Sequence, residues 1–242
     1  MPALEVSDVS VRFGGTHALQ NVTITVEEGS VTGLIGPKGA GKTTLFNVVT
    51  GLLSPTGGRV SLHGRDVTAA APARRARLGL ARTFQRLELF TSLSVRDNIR
   101  VAGDIRNGWG RSHRINVAKE TERIIELTGL GDIAGRDVAD IPTGRARVVE
   151  VARSLMTQPT VLLLDEPAAG QTEQETEVFG VLLGRLADSG LAICLVEHDM
   201  SLVMRVSARL HVLDYGQILA VGRPEEIQND PAVIAAYLGG AA

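Results

Sequence analysis

Cysteine is all but missing from this sequence. Cys194 is the one cysteine among 242 residues, so no disulfide can form within the chain. It lies in the apolar run "LAICLVEH", where the expected state is a buried thiol in a core strand. A dominant charge is missing too: 25 Lys and Arg against 27 Asp and Glu leave a formal net charge of -2. With no global basic field, nucleic acid is not implied as a partner. No run approaches the ~18 apolar residues needed to cross a bilayer, and "MPALE" lacks the basic-then-apolar pattern of a secretory signal. The expectation is a soluble, cytoplasmic chain that meets a membrane only through a partner. Internal repeats and low-complexity tracts are also lacking. What is present is 44% apolar content, ample for the core of one large domain or of two lobes sharing a core.

Over the first 62 residues short apolar runs alternate with turns. "LEVSDVSVRF", "ALQNVTITVEEG" and "VTGLIG" read as strands, "GKTTLFNVVTGLL" as a helix and "GRVSLHG" as a further strand. From Thr160 the pattern returns. "TVLLLDE", "LAICLVE", "RLHVLDYG" and "QILAVG" read as strands, with helices over "EQETEVFGVLLGRLADSG" and from Met200. Strands alternating with helices predict an α/β fold with a largely parallel central sheet. Between residues 87 and 156 apolar positions recur at three and four in "VRDNIRVAG", "NVAKETERIIELTGL" and "ARVVEVARSLM". This middle third is expected as a helical lobe inserted into a core made of 1–86 and 157–242, all one domain over 1–242. "GWGRSH", Gly108 to His113, is its expected flexible loop.

"GLIGPKGAGKTT" follows an apolar strand and opens a helix, the context a phosphate-binding loop requires. Gly36, Pro37, Lys38, Gly39, Ala40 and Gly41 form a loop whose backbone N–H groups can converge on an anion, and the helix start at Lys42, Thr43 and Thr44 adds a favourable dipole. Lys42 is placed to reach the β- and γ-phosphates of a nucleotide, and the Thr43 hydroxyl to reach Mg²⁺. Lys38 either adds a second cation beside the phosphates or points to solvent.

"VLLLDEP" ends a buried strand in two acids. Beside a phosphate loop, Asp165 is the expected Mg²⁺ holder, and Glu166 can address the water that attacks the γ-phosphate. "LVEHDM" repeats the geometry and delivers His198 to the end of a second apolar strand, suited to a γ-phosphate contact. The cluster Arg74, Arg75 and Arg77 reads as a solvated basic face. In "DIPTGRARVVEVARSL" a Pro-Thr-Gly turn opens an Arg-rich amphipathic helix and so presents backbone N–H groups. Pro142, which has no N–H, is well tolerated near a helix start.

The order of these elements resembles the ATP-binding cassette of ABC transporters along nearly the whole chain. The resemblance implies a P-loop NTPase (RecA-like) core with antiparallel strands and an inserted helical subdomain. "ARTFQ" looks like the family's glutamine loop, which would put Gln85 on Mg²⁺ or the attacking water. Phe13 sits where the family stacks an aromatic on adenine, Glu166 matches the general base and His198 the switch histidine. "RFGGTHAL", "ARTFQRLELFTSLSVRDNI", "LDEPAAG", "VEHDM" and "VIAAYLG" look like importer ATPases for branched-chain amino acids. That implies a peripheral subunit at the cytoplasmic face of the cell membrane. It would pair head to tail with a second ATPase subunit on two transmembrane permease subunits, contacted through residues 86–95, and be served indirectly by an extracytoplasmic solute-binding protein.

Two departures stand out. The family's signature, commonly Leu-Ser-Gly-Gly-Gln, meets the partner chain's ATP. Here Ile141, Pro142, Thr143, Gly144 and Arg145 align with it. Gly144 at a helix start and the Thr143 hydroxyl can still meet an anion, and Arg145 offers a charge-assisted contact in place of a neutral amide. After the acid pair, Gln171 and Thr172 stand where the family carries an Asp or Asn that crosses to the other subunit. Two other readings remain beside the importer: a weakly hydrolysing regulatory cassette, and a cassette of DNA repair or translation. Members of the last group tend to be longer than this chain.

Overall fold

A computed structural model describes residues 2–239, with side chains to residue 237. The expected domain runs over 1–242, so its first residue and last three lie outside the described residues. In chain order, the strands and helices are β1 (Leu4–Phe13), β2 (Thr16–Val26), β3 (Val31–Ile35), α1 (Lys42–Thr50), β4 (Gly57–Leu62), β5 (Arg65–Asp66), α2 (Pro72–Arg77) and β6 (Leu80–Arg82). Three helices follow, α3 (Val95–Asn107), α4 (Val117–Leu127) and α5 (Thr143–Leu155). The chain then continues through β7 (Val161–Asp165), α6 (Glu173–Asp188), β8 (Ala192–Val196), α7 (Met200–Val206), β9 (Arg209–Asp214), β10 (Gln217–Gly222), α8 (Pro224–Gln228) and α9 (Pro231–Gly239).

Two sheets result. The smaller is antiparallel, in the order β2-β1-β4-β5, and the larger runs β10-β9-β3-β8-β7-β6, parallel except for β10 against β9. Every residue of β3, β7 and β8 is buried, as strands covered on both faces must be. Their side chains alternate between two cores. Val161, Leu163, Ala192 and Cys194 face the small sheet and α1, whereas Leu162, Leu164, Ile193 and Leu195 join Ile99, Ile124 and Val149 of α3, α4 and α5. The larger sheet is thus the middle layer, and α3 to α5 lie between β6 and β7 in sequence. Residues 108–113 contain a 3-10 turn, Arg111–His113, with the Trp109 and His113 rings edge to face at 5.8 Å. Cys194 is buried as expected, and burial pushes its thiol pKa up to about 12.

One expectation fails here. Arg74 and Arg77 are exposed, but Arg75 is buried to 1% exposure and is no part of a solvated face. Its guanidinium donates to the carbonyls of Val48 and Val49 at 2.7 Å, and to those of Ala70 and Thr68. The last carbonyls of a helix have no helical partner, and Arg75 supplies a donor to Val49 and a second one to Val48, whose carbonyl also accepts from the Gly51 N–H.

Candidate functional site

The loop from Gly36 to Gly41 runs from the end of β3 into α1. Glycine is required at Gly36, where φ is 149° and a Cβ would lie 1.9 Å from the Leu213 carbonyl oxygen. Gly41 caps α1 with φ 111°, and no side chain among the described residues caps that helix start. The N–H groups of its first turn therefore keep their capacity for an anion. Thr43 and Lys38 are exposed, Ala40 is buried, and Lys42 is buried to 8% exposure. Lys42 Nζ donates to the Gly36 carbonyl at 2.6 Å and the Pro37 carbonyl at 2.9 Å, so its ammonium braces the loop it serves. Burial lowers its pKa, and the charges of Glu166 and Asp165 oppose that shift.

The three residues expected to be catalytic meet. Gln85 Nε2 lies 3.2 Å from Glu166 Oε2, and His198 Nε2 lies 2.7 Å from Glu166 Oε1. Phe13 is 55% exposed at the end of β1, free to offer a ring face. Asp165 is buried at the end of β7, where Arg82 Nη2 reaches its Oδ2 at 2.9 Å.

Arg82 escapes a reading of the sequence. Its guanidinium also donates to Asn47 of α1 at 2.7 Å, and it lies 5.3 Å from the Phe46 ring centre and 4.8 Å from that of Phe84. Glu197 escapes it as well. Buried to 6% exposure, Glu197 accepts from the Ala168 N–H at 2.7 Å and the His198 N–H at 2.9 Å, tying together the two loops that carry Glu166 and His198. Burial raises its pKa, and those backbone bonds oppose the rise. The available signal was a carboxylate directly following an all-apolar strand.

The residues aligned with a signature motif stand together at the start of α5 but in different surroundings. Pro142 and Thr143 are exposed at the start of α5, where among the described residues no side chain caps the helix. Gly144 is buried against Gly170 and Gln171. Arg145 bonds Asp132 Oδ1 at 2.5 Å and the Gly129 carbonyl at 3.1 Å, so its cation is already partnered within the chain. Thr172 caps α6 in a reciprocal pair with Glu175.

Sequence and fold comparisons agree with this geometry. Residues 19–169 match the family model described as ABC transporter, and residues 217–242 match one described as branched-chain amino acid ATP-binding cassette transporter. The chain is 40% identical to the high-affinity branched-chain amino acid transport ATP-binding protein LivG of Salmonella typhimurium, over 98% of both chains. It is 38% identical to the corresponding protein BraF of Pseudomonas aeruginosa, again over 98% of both. Among solved structures, a nucleotide-free ATP-binding cassette from an ABC transporter superposes with a TM-score of 0.87 at 31% identity, over 98% of this chain and 99% of that one. The ADP conformation of such a cassette gives 0.87 at 30% identity, over 99% of both. With a phosphate loop ahead of two acids, and a glutamine and a histidine meeting the second acid, the chain belongs to the ABC transporter family and is an ATPase cassette of the P-loop NTPase fold.

Proposed function

We propose that this chain binds ATP with Mg²⁺ and hydrolyses it to power an importer of branched-chain amino acids or a related small solute. It would do so as a peripheral subunit on transmembrane permeases, paired with a second cassette. The observation that carries the reading is the convergence of Gln85 and His198 on Glu166, within the electrostatic reach of Lys42. The import role rests on the likeness to LivG and BraF along the whole chain. Among the described residues no helix is long and apolar enough to cross a membrane. A groove of about 350 Å³ lined by Leu52, Phe84, Ile105, Trp109 and Arg153, beside residues 86–95, offers apolar surface to a permease.

Division of labour among the residues follows from their chemistry. Backbone N–H groups at Gly39 to Thr44 and the Lys42 ammonium take the phosphates, and Phe13 takes the adenine face. The oxygen donors of Thr43, Asp165 and Gln85 suit Mg²⁺, a hard cation that uses few protein ligands beside phosphates and water. When bound, Mg²⁺ would neutralise charge growing on the β- and γ-phosphates. Glu166 accepts the proton of the attacking water, Gln85 and His198 fix its carboxylate, and His198 also faces the γ-phosphate. Thr143 and Gly144 meet the ATP of the paired chain.

The test is ATP turnover by the purified chain and by Lys42→Ala, together with co-purification of permease subunits from cells. Loss of turnover in the variant is expected. Undiminished turnover would overturn the assignment of the site, and uptake unaffected by deleting the chain would overturn the transport role.

A further inference from the structure

The segment that carries Gln85 hangs from helix α5. Arg147 Nη1 donates to the Phe84 carbonyl at 2.8 Å, and its Nη2 donates to the Gln85 carbonyl. One turn along, Glu150 Oε2 pairs with Arg147 Nη1 at 2.9 Å, while Glu150 Oε1 accepts from the Glu88 N–H at 2.8 Å. Arg147 and Glu150 are 7% and 6% exposed. A buried ion pair is a weak source of stability, but one whose remaining Nη donors and carboxylate acceptors are used fixes a geometry, although the Arg147 Nε is buried with no hydrogen-bond partner among the described residues. Here those used groups are backbone atoms on both sides of Gln85.

The same helix begins at the residues aligned with the signature. Its start is packed without slack, since a Cβ on Gly144 would lie 2.9 Å from the Gly170 carbonyl oxygen. Glu150 lies only seven residues beyond Thr143, about 10 Å along a rigid axis at roughly 1.5 Å per residue. A shift at the N-terminus of α5 therefore reaches Arg147 and Glu150 as a rigid-body displacement, and passes from them to the backbone around Gln85.

We propose that Arg147 and Glu150 are positioning residues that set Gln85 against Glu166, so that hydrolysis at this chain's own site depends on where the N-terminus of its α5 sits. The inference rests on the paired-ATPase reading above. It assigns to α5 a second role beside meeting the partner's ATP: it reports that encounter to its own glutamine. Neither residue touches the reacting atoms.

The test mixes two differently tagged copies of the full chain, one carrying Glu166→Gln, so that only the site with intact Glu166 turns over. Measurable ATPase in the pair of wild type and Glu166→Gln is the control; its failure refutes the paired-ATPase reading and not this inference. Glu150→Gln in the copy with intact Glu166 is expected to lower kcat about tenfold or more, because small misplacement of a catalytic group is costly, with KM changed less than about twofold. Placed in the Glu166→Gln copy, where its α5 serves only as signature, the same substitution is expected to leave kcat within about twofold. Arg147→Lys keeps the charge but loses the fork that spans two carbonyls. It should repeat the pattern, and it carries the test if Glu150→Gln fails to fold. Equal losses in both placements would mean general damage to α5, and no loss in either would mean Gln85 is held by other contacts. Each result overturns the inference.

Discussion

His198 Nε2 lies 2.7 Å from Glu166 Oε1, and the backbone of Glu166 is held with φ 51°, a left-handed conformation uncommon for any residue but glycine. A carboxylate has only acceptors, so the imidazole donates through Nε2. The Glu166 N–H bonds the Val196 carbonyl at 2.8 Å, at the end of the strand that leads through Glu197 to His198. Acid and histidine are thus fixed to each other through backbone and side chain alike, which is the arrangement a general base needs.

Replacing Glu166 by Gln should lower kcat by about 10²–10⁴, the usual worth of a general base, while binding of a fluorescent ATP analogue survives. His198→Ala should lower kcat by about 10² with ATP affinity nearly unchanged. Steady-state kinetics and nucleotide titrations separate the two effects. A His198→Ala enzyme with normal kcat would remove the histidine from the mechanism.

The Arg82–Asp165 pair should show its burial when broken. With side chains 5% and 3% exposed, removal of Arg82 strands a carboxylate in the core, and Arg82→Ala is expected to cost about 3–5 kcal/mol in urea unfolding. Adding Asp165→Asn should return part of that loss by removing the stranded charge. A cost below about 1 kcal/mol would show that the pair behaves as a solvated one.

These predictions rest partly on residues the sequence shows plainly and partly on residues it hides. The central strands were legible because burial on both faces leaves nothing but apolar residues, as in "VLLLD" and "AICLV". Glycines before Lys42 and the acids at and just beyond the end of β7 were legible because phosphate chemistry demands residue types at fixed places. The two-residue β5, the three-residue β6 and the short α2 carry too little periodicity to register. Buried charge is hidden for a different reason. Arg75, Arg82, Arg147 and Glu150 look like any solvated charge in the sequence, since their partners are backbone carbonyls, N–H groups and carboxylates up to 83 residues away. Arg145 shows the converse: its charge is visible, yet its engagement by Asp132 is not.

Gly144 offers a test of packing between the start of α5 and the loop after the acids. Gly144→Ala would place a Cβ 2.9 Å from the Gly170 carbonyl oxygen and 3.0 Å from Gln171 Cα, both backbone atoms that cannot swing aside. Overpacking of this kind costs about 1–3 kcal/mol, so a lower melting temperature is expected, together with reduced ATPase in the paired state. An unchanged melting temperature would mean that the 170–171 loop yields without cost.

His211 in β9 should give the fold a distinctive acid response. It is 4% exposed and neither ring nitrogen has a hydrogen-bond partner among the described residues; burial pushes its pKa from 6.5 down to about 4. The Arg209 charge adds to that shift. Between those two values the unfolded chain binds the proton that the native chain refuses. Stability is therefore full above pH 6.5 and declines as pH falls toward about 4. At about 1.36 kcal/mol per pH unit, the 2.5 units between 6.5 and about 4 amount to about 3 kcal/mol at most. His211→Leu has no such proton to bind. Urea unfolding of both proteins at pH 7, 6, 5 and 4 should show the wild type losing stability relative to the variant across that range, carboxylate titration being common to both. A constant difference between them would mean that His211 takes up its proton in the native state as readily as in the unfolded chain.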